Sequence, residues 1–314
     1  MTRRDPAGYR SSVALPPDFD RFWQDTLAEA AEVPLNPRLE PVPLRSSPEV
    51  EVFDVRWDSL DGLSIAGWYC RPRGRTGRLP ALIHLPGYVS EPLLPRPSAL
   101  QGYCALSVAP RGKLRSNDRF NPGYPGLLTH NIVDRNTYGY RGFYVDAIRA
   151  VDFVLSREEV DRARIGLTGS SQGGALTIVV AAMRPQEIAC AAAGAPGMCA
   201  FMDAPTLVDT YAYQEINDYL RLYPERTPAV RRTLDYFDGI NFAPKIRCPI
   251  IVNIGLQDDI CAPETGYALF RAIGSRDKKL YTYDGCGHDA GQFVGHAAIV
   301  REFLSGHLRP GEPA

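Results

Sequence analysis

Apolar and polar positions along the chain fall into two periods. Phe19, Phe22, Trp23, Leu27 and Ala30 recur every three or four residues, the spacing that puts them on one face of an α-helix. Asp18 as a cap, or Pro17 in the first turn, would start that helix. Residues 33–48 then carry five prolines and are expected to run extended over the surface. Residues 50–57 and 63–70 alternate apolar with polar around a turn at 58–62, which predicts a hairpin. Short apolar runs rich in strand formers follow at 81–85, 103–108, 165–168, 188–193, 250–254 and 280–283, bringing the expected strands to eight. Between them, 140–155 places Phe143, Ala147, Ile148, Val151 and Val154 on one helical face.

Strands that alternate with helices imply an α/β fold, a mostly parallel sheet with helices on both faces, and the leading hairpin adds an antiparallel edge. One domain is expected over 1–314, with an N-terminal helix and extended arm over 1–48. Two gaps exceed what a crossover needs, 111–136 and 196–249. In such a sheet, insertions on the carboxyl side of the strands roof the ligand crevice. The second insertion holds Tyr211, Tyr213, Tyr219, Tyr223 and Tyr236, rings suited either to stacking on a sugar or to packing helices.

Composition narrows the partner. With 314 residues and 45% hydrophobic content the chain can bury a large core. Lys+Arg 35 against Asp+Glu 36 leaves a net charge of -1, and no long run of one sign occurs, so neither nucleic acid nor an anionic membrane is an expected partner. A small neutral molecule is. The 7 cysteines form no C-x-x-C pair and share no metal-ligand spacing with histidines, which predicts reduced, mostly buried thiols and no metal. Arg3-Arg4 is a bare hint of an export signal, but no apolar stretch follows it and none of about 20 residues occurs elsewhere, so a cytoplasmic protein is expected.

The chemistry centres on Gly169-Ser170-Ser171-Gln172-Gly173-Gly174. It lies between a short apolar run and a helical one, so Gly169-x-Ser171-x-Gly173 reads as a strand, a sharp turn and a helix, the setting of a nucleophile elbow. The Gln172 amide then lies at a helix N-terminus, where developing negative charge is favoured. Serine needs a base, and the base an orienting acid. Of the 5 histidines, His84 falls in a strand, His130 in the first insertion, and His296 and His307 in or beyond a C-terminal helical run. His288 sits on the glycine-rich loop after the last strand, where a ring can reach a nucleophile. The acid belongs between serine and histidine in this fold class. Asp258 and Asp259, after the seventh strand, both qualify, and either could instead cap the helix starting near Pro263. A second oxyanion donor is expected from the loop after the third strand, Leu85-Pro86-Gly87-Tyr88, with the Tyr88 amide as candidate.

With these residues in place the chain resembles the acetyl xylan esterase and cephalosporin C deacetylase group, carbohydrate esterase family 7 of the α/β-hydrolase superfamily. Pro17-Asp18-Phe19-Asp20-Arg21-Phe22-Trp23, Arg111-Gly112, the elbow, Gly255-Leu256-x-Asp258, His288, Tyr124-Pro125-Gly126, Asp209-Thr210, Tyr236-Phe237-Asp238-Gly239 and Asn241-Phe242 carry the likeness, which spans nearly the whole chain. The resemblance implies an α/β-hydrolase fold and a cofactor-free serine esterase acting on acetylated sugars or small metabolites. It makes Ser171 the nucleophile, Asp258 the acid, His288 the base, and the Tyr88 and Gln172 amides the oxyanion hole. It also implies a homo-oligomer, a hexamer in many members. Three departures stand out: Lys113 replaces the glutamine of the family's Arg-Gly-Gln, Asp289 the glutamate after the histidine, and Val89-Ser90-Glu91 an Asn-Gly-Gly. The same triad would also serve acyl transfer to another alcohol or amine, and a non-catalytic binding protein on this scaffold would ordinarily lose a triad member.

Overall fold

An edge strand hidden among the prolines opens the sheet. The computed structural model describes residues 5–310, so Arg3 and Arg4 lie outside the described residues. In it, β1 (Arg38–Pro41) pairs antiparallel with β2 (Val50–Ser59), Arg38 opposite Arg56 and Pro41 opposite Phe53. Part of the run expected to be extended over 33–48 thus pairs as an edge strand, which tolerates proline because only one of its sides needs to bond. Antiparallel to β2 runs β3 (Leu63–Pro72), in register from Val50 opposite Pro72 to Ser59 opposite Leu63. The remaining strands are β4 (Leu79–Leu85), β5 (Cys104–Ala109), β6 (Val160–Ser170), β7 (Ile188–Gly194), β8 (Ile250–Gly255) and β9 (Lys278–Tyr283). The sheet thus has nine described strands in the order β1-β2-β3-β5-β4-β6-β7-β8-β9, one more than expected, and the elbow follows the sixth strand, not the fifth. From β5 to β9 every pairing is parallel, and the antiparallel hairpin edge lies where it was expected.

The helices are α1 (Phe19–Ala31), α2 (Arg96–Leu100), α3 (Gly139–Leu155), α4 (Gln172–Met183), α5 (Ala204–Leu207), α6 (Gln214–Leu222), α7 (Thr227–Asp235), α8 (Gly239–Phe242), α9 (Pro263–Ala272) and α10 (His296–Leu308). Alternation along the parallel strands sorts side chains to two covered faces. Ala81, Ile83, Leu106, Val108, Ala191, Ala193, Val252 and Ile254 meet the large core that α1, α3 and α4 complete. Their neighbours Leu82, Ala105, Cys190, Ala192 and Ile251 meet Leu304 and Leu308 of α10. Because both faces are buried, the central strands β4, β5, β7 and β8 are mostly apolar.

Asp18 occupies the position before α1 but makes no capping bond; its carboxylate takes Arg135 and the Tyr236 hydroxyl instead. Trp23 of α1 donates from its indole Nε1 to the Tyr236 carbonyl at 2.9 Å, and Phe19 and Trp23 meet Phe242 edge-on. The first helix is therefore clamped to the second insertion.

Arg111, just after β5, closes the other side. Its Nε lies 2.9 Å from Asp146 Oδ2 and its Nη2 3.0 Å from Asp146 Oδ1, while its Nη1 reaches Asp61 at 2.8 Å. Ser59 Oγ donates to Asp146 at 2.6 Å. A Cβ on Gly142 would stand 2.0 Å from Arg111 Nη1, so only glycine lets α3 approach this guanidinium. The pair joins the β2–β3 turn, β5 and α3, and it fixes the start of the 111–136 insertion. Breaking a buried pair strands the surviving charge, which costs about 3–5 kcal/mol, whereas apolar replacement of both partners is often neutral. Arg111→Met should therefore lower the unfolding free energy in urea by about that amount, and Arg111→Met with Asp146→Leu should recover most of it. A single-variant loss below about 1 kcal/mol would show that the pair is not what holds this corner.

Candidate active site

Ser171 stands between β6 and α4 with φ 61 and ψ -124, a left-handed backbone that a residue with a Cβ adopts only when its surroundings impose it. Its amide donates to the Gly194 carbonyl at 2.9 Å, and its carbonyl accepts from Gly197 N at 3.0 Å. A Cβ on Gly169 would lie 2.4 Å from the Gly173 carbonyl oxygen, and one on Gly173 would lie 2.2 Å from that of Leu85. The elbow glycines are thus dictated by backbone contact, as the G-x-S-x-G string suggested.

Ser171 opens into a cavity of about 840 Å³ that His288 also lines. His288 Nδ1 lies 2.9 Å from Asp258 Oδ2 and 3.1 Å from Oδ1. That leaves Nε2 as the ring nitrogen free to serve the cavity. The Asp258 side chain is only 1% exposed, and its Oδ1 also accepts from Ile260 N at 2.9 Å and Cys261 N at 2.8 Å, so the carboxylate is held from two sides. Asp259 is exposed and caps nothing, because Ala262 precedes α9 and no side chain caps that helix. Of the two aspartates, geometry gives the histidine to Asp258. His84 instead bonds Ser98 at 2.9 Å and His296 bonds Tyr283 at 2.7 Å, so neither is free for Ser171.

Tyr88 and Gln172 line the same cavity as Ser171, and among the described residues neither backbone amide is taken by a backbone carbonyl. The Gln172 side chain ties the two together: its Oε1 accepts from Tyr140 Oη at 2.8 Å, and its Nε2 donates to the Gly87 carbonyl at 3.4 Å. Lys113 Nζ donates to the same Gly87 carbonyl at 2.8 Å.

Other residues enter that the spacing of motifs did not single out. Glu215 of α6 accepts the Tyr88 hydroxyl and, through Oε2, the amides of Gly126 at 2.8 Å and Leu128 at 3.2 Å. It thereby pins the Tyr88 loop to both insertions, and burial pushes its carboxyl up. Cys261 lines the cavity with Ser171, its thiol pushed up by burial. No local pattern marks either residue, since each acts through partners distant in sequence. Of the tyrosines in the second insertion, Tyr211 and Tyr213 line the cavity. Tyr213 does so while holding Met198 N on its hydroxyl at 2.7 Å. Tyr236 is buried against Phe22, and Tyr219 and Tyr223 pack on each other.

The departures have local partners. Asp289 Oδ2 accepts Gly291 N at 3.2 Å, which turns the histidine loop. Glu91 Oε1 accepts Leu114 N at 3.1 Å, which ties the loop after Tyr88 to the first insertion. Leu128, Met198, Ile260, Val89 and Leu93 make most of the remaining wall apolar. Among the described residues, no group of His, Cys, Asp and Glu side chains could hold a metal ion, and no helix is long and apolar enough to cross a membrane.

Known proteins share this fold along nearly the whole chain. The acetyl xylan esterase from Paenibacillus sp. R4 superposes with a TM-score of 0.90 at 33% identity, covering 98% of this chain and 100% of that one. Acetyl xylan esterase 1 from Thermoanaerobacterium sp. JW/SL YS485 does so with a TM-score of 0.90 at 26% identity, covering 99% of each. Acetyl esterase Axe7A of Xylanibacter ruminicola is 28% identical over 281 residues, which is 85% of this chain and 62% of that protein. The chain therefore spans less than two thirds of Axe7A. The family model described as acetyl xylan esterase (AXE1) matches residues 5–307, so the chain belongs to the acetyl xylan esterase family and has its α/β-hydrolase fold.

Proposed function

We propose that this chain is a serine esterase that hydrolyses acetyl esters of sugars or small metabolites through an acyl-enzyme. The observation that carries the reading is the buried Asp258–His288 pair beside a strained Ser171 in one cavity. Ser171 Oγ attacks the ester carbonyl while His288 Nε2 takes its proton, and Asp258 holds the ring in the tautomer that can accept it. The carbonyl oxygen becomes an alkoxide that the Tyr88 and Gln172 amides receive. Collapse expels the alcohol, which takes the proton back from His288. Water then attacks the acyl-serine by the same route, releasing the carboxylic acid and free Ser171. The pinned oxyanion loop and apolar wall suit a short acyl group, and the names of the family's members favour acetyl. We also infer a homo-oligomer, a hexamer by family resemblance, and a reducing, cytoplasmic setting, which all 7 cysteines being free and buried supports.

A serine-reactive fluorophosphonate should label the wild-type chain and not Ser171→Ala, and that variant should lose on the order of 10⁶-fold in turnover of 4-nitrophenyl acetate. Retention of a tenth of the activity would rule out the serine mechanism. Assays on acetylated xylo-oligosaccharides beside small acetylated metabolites then rank the substrates, and light scattering reads the assembly.

The neighbouring aspartates give a sharper test of the roles. Asp258→Asn should cost around 10⁴-fold in turnover near neutral pH, because the amide selects the wrong imidazole tautomer. Asp259→Asn should stay within about tenfold of wild type, since its side chain meets neither the ring nor a helix end. The reverse ranking would assign the acid to Asp259.

A further inference from the structure

Lys113 is buried to 0% exposure, and among the described residues no carboxylate lies within ion-pair distance of its ammonium. Its Nζ donates to the Gly87 carbonyl at 2.8 Å and to the Tyr88 carbonyl at 2.5 Å, and it stands 4.8 Å from the centre of the Tyr124 ring. A buried cation is costly unless something uses it, and both of its hydrogen bonds fall on the loop that presents the Tyr88 amide.

The Gly87 carbonyl and the Tyr88 N–H are the two ends of one peptide unit. A cation bonded to the oxygen draws electron density from the nitrogen, so the N–H becomes a stronger donor, and hydrogen bonds in series reinforce each other by about 10–30% each. We propose that Lys113 positions and polarises the oxyanion hole, its ammonium on the Gly87 carbonyl strengthening the Tyr88 amide that receives the alkoxide. The proposal rests on the roles given above to Ser171, Tyr88 and Gln172. It accounts for a lysine where the family carries glutamine: a neutral amide can satisfy the same carbonyls but adds no charge.

Charge and shape can be separated here, because a deprotonated lysine still donates hydrogen bonds. Burial pushes the Lys113 ammonium down to about 8, opposed by the nearby Glu91 carboxylate. Below that pH the loop carries its positive charge and the hole is at full strength; above it the loop keeps its bonds and loses the charge, so the rate should fall. The other titratable groups facing Lys113 are two tyrosines and one carboxyl group. Burial pushes the Tyr88 and Tyr124 hydroxyls far up, and it raises the Glu215 carboxyl behind Tyr88, which the Tyr88 hydroxyl and the Gly126 and Leu128 amides lower.

The test is the pH profile of kcat/KM on 4-nitrophenyl acetate from about pH 5 to about pH 10, with spontaneous hydrolysis subtracted. The wild-type chain should show a basic limb near 8. Lys113→Gln should be about tenfold slower at about pH 7 and lack that limb, a smaller loss than the ~10²–10³-fold cost of deleting an oxyanion donor. Glu91→Gln should move the limb to lower pH, because the carboxylate raises the ammonium. A limb that persists unchanged in Lys113→Gln, or that Glu91→Gln does not move, overturns the proposal. Should Lys113→Gln fail to fold, the wild-type limb and its shift in Glu91→Gln still decide. Fluorophosphonate labelling of the wild-type chain keeps the outcomes apart: labelling with an unmoved limb rejects Lys113 alone, and no labelling rejects the esterase reading beneath it.

Discussion

Backbone crossing backbone at the elbow is the constraint on which the rest of the structure depends. Gly169 meets Gly173, Gly173 meets Leu85 and Gly174 meets Gly194, each closer than any Cβ would allow. These contacts bring the end of β6 against the first turn of α4 and against the ends of β4 and β7, its neighbours in the sheet. Ser171 is left with a conformation that costs on the order of 1–3 kcal/mol, and its bonds to Gly194 and Gly197 hold it there. The same neighbours deliver the other parts of the site. The end of β4 leads into the Tyr88 loop, the end of β7 into the segment under Tyr213, and β8 and β9 bring Asp258 and His288 from farther along the sheet.

Behind Ser171 lies a second buried scaffold. Ala195, Met198 and Ala200 all have positive φ, and Asp238 gathers the amides of Ala200, Phe201 and Ile240 on its carboxylate. Complete burial raises that acid to about 7 although three amides work to lower it. On one side of Ser171 stands a carboxyl group that burial makes easy to protonate, and on the other a lysine that burial makes easy to deprotonate. Both are consequences of building polar clamps inside an apolar wall.

What the sequence made legible follows from how local the cause is. Alternation marked the hairpin, uninterrupted apolar runs marked the buried strands, and the elbow string fixed where strand turns into helix. Chain order singled out His288 because four other histidines sat in the wrong elements. The edge strand β1 was hidden because its pairing depends on β2, while its own prolines argue for an extended run. Nothing local could choose between Asp258 and Asp259, since the choice is made by a ring 30 residues away. Asp18 looked like a cap, but Arg135 and Tyr236 compete for its carboxylate. Glu215 was out of reach for want of any pattern, and Lys113 stood out as a departure from the family, but its burial was not legible because a lysine reads as a surface residue until the fold buries it.

The clamp between α1 and the second insertion bears on how the chain is made. Phe19, Phe22 and Trp23 leave the ribosome early, yet the rings that cover them, Tyr236, Phe237 and Phe242, follow more than 200 residues later. Tyr9 and Ser12 likewise wait for Asp203. At about 5–20 residues per second, the second insertion follows α1 by roughly 10–40 s of synthesis. Until then α3, through Tyr144 and Arg141, can cover only part of that helix, so the helix made first completes its packing among the last.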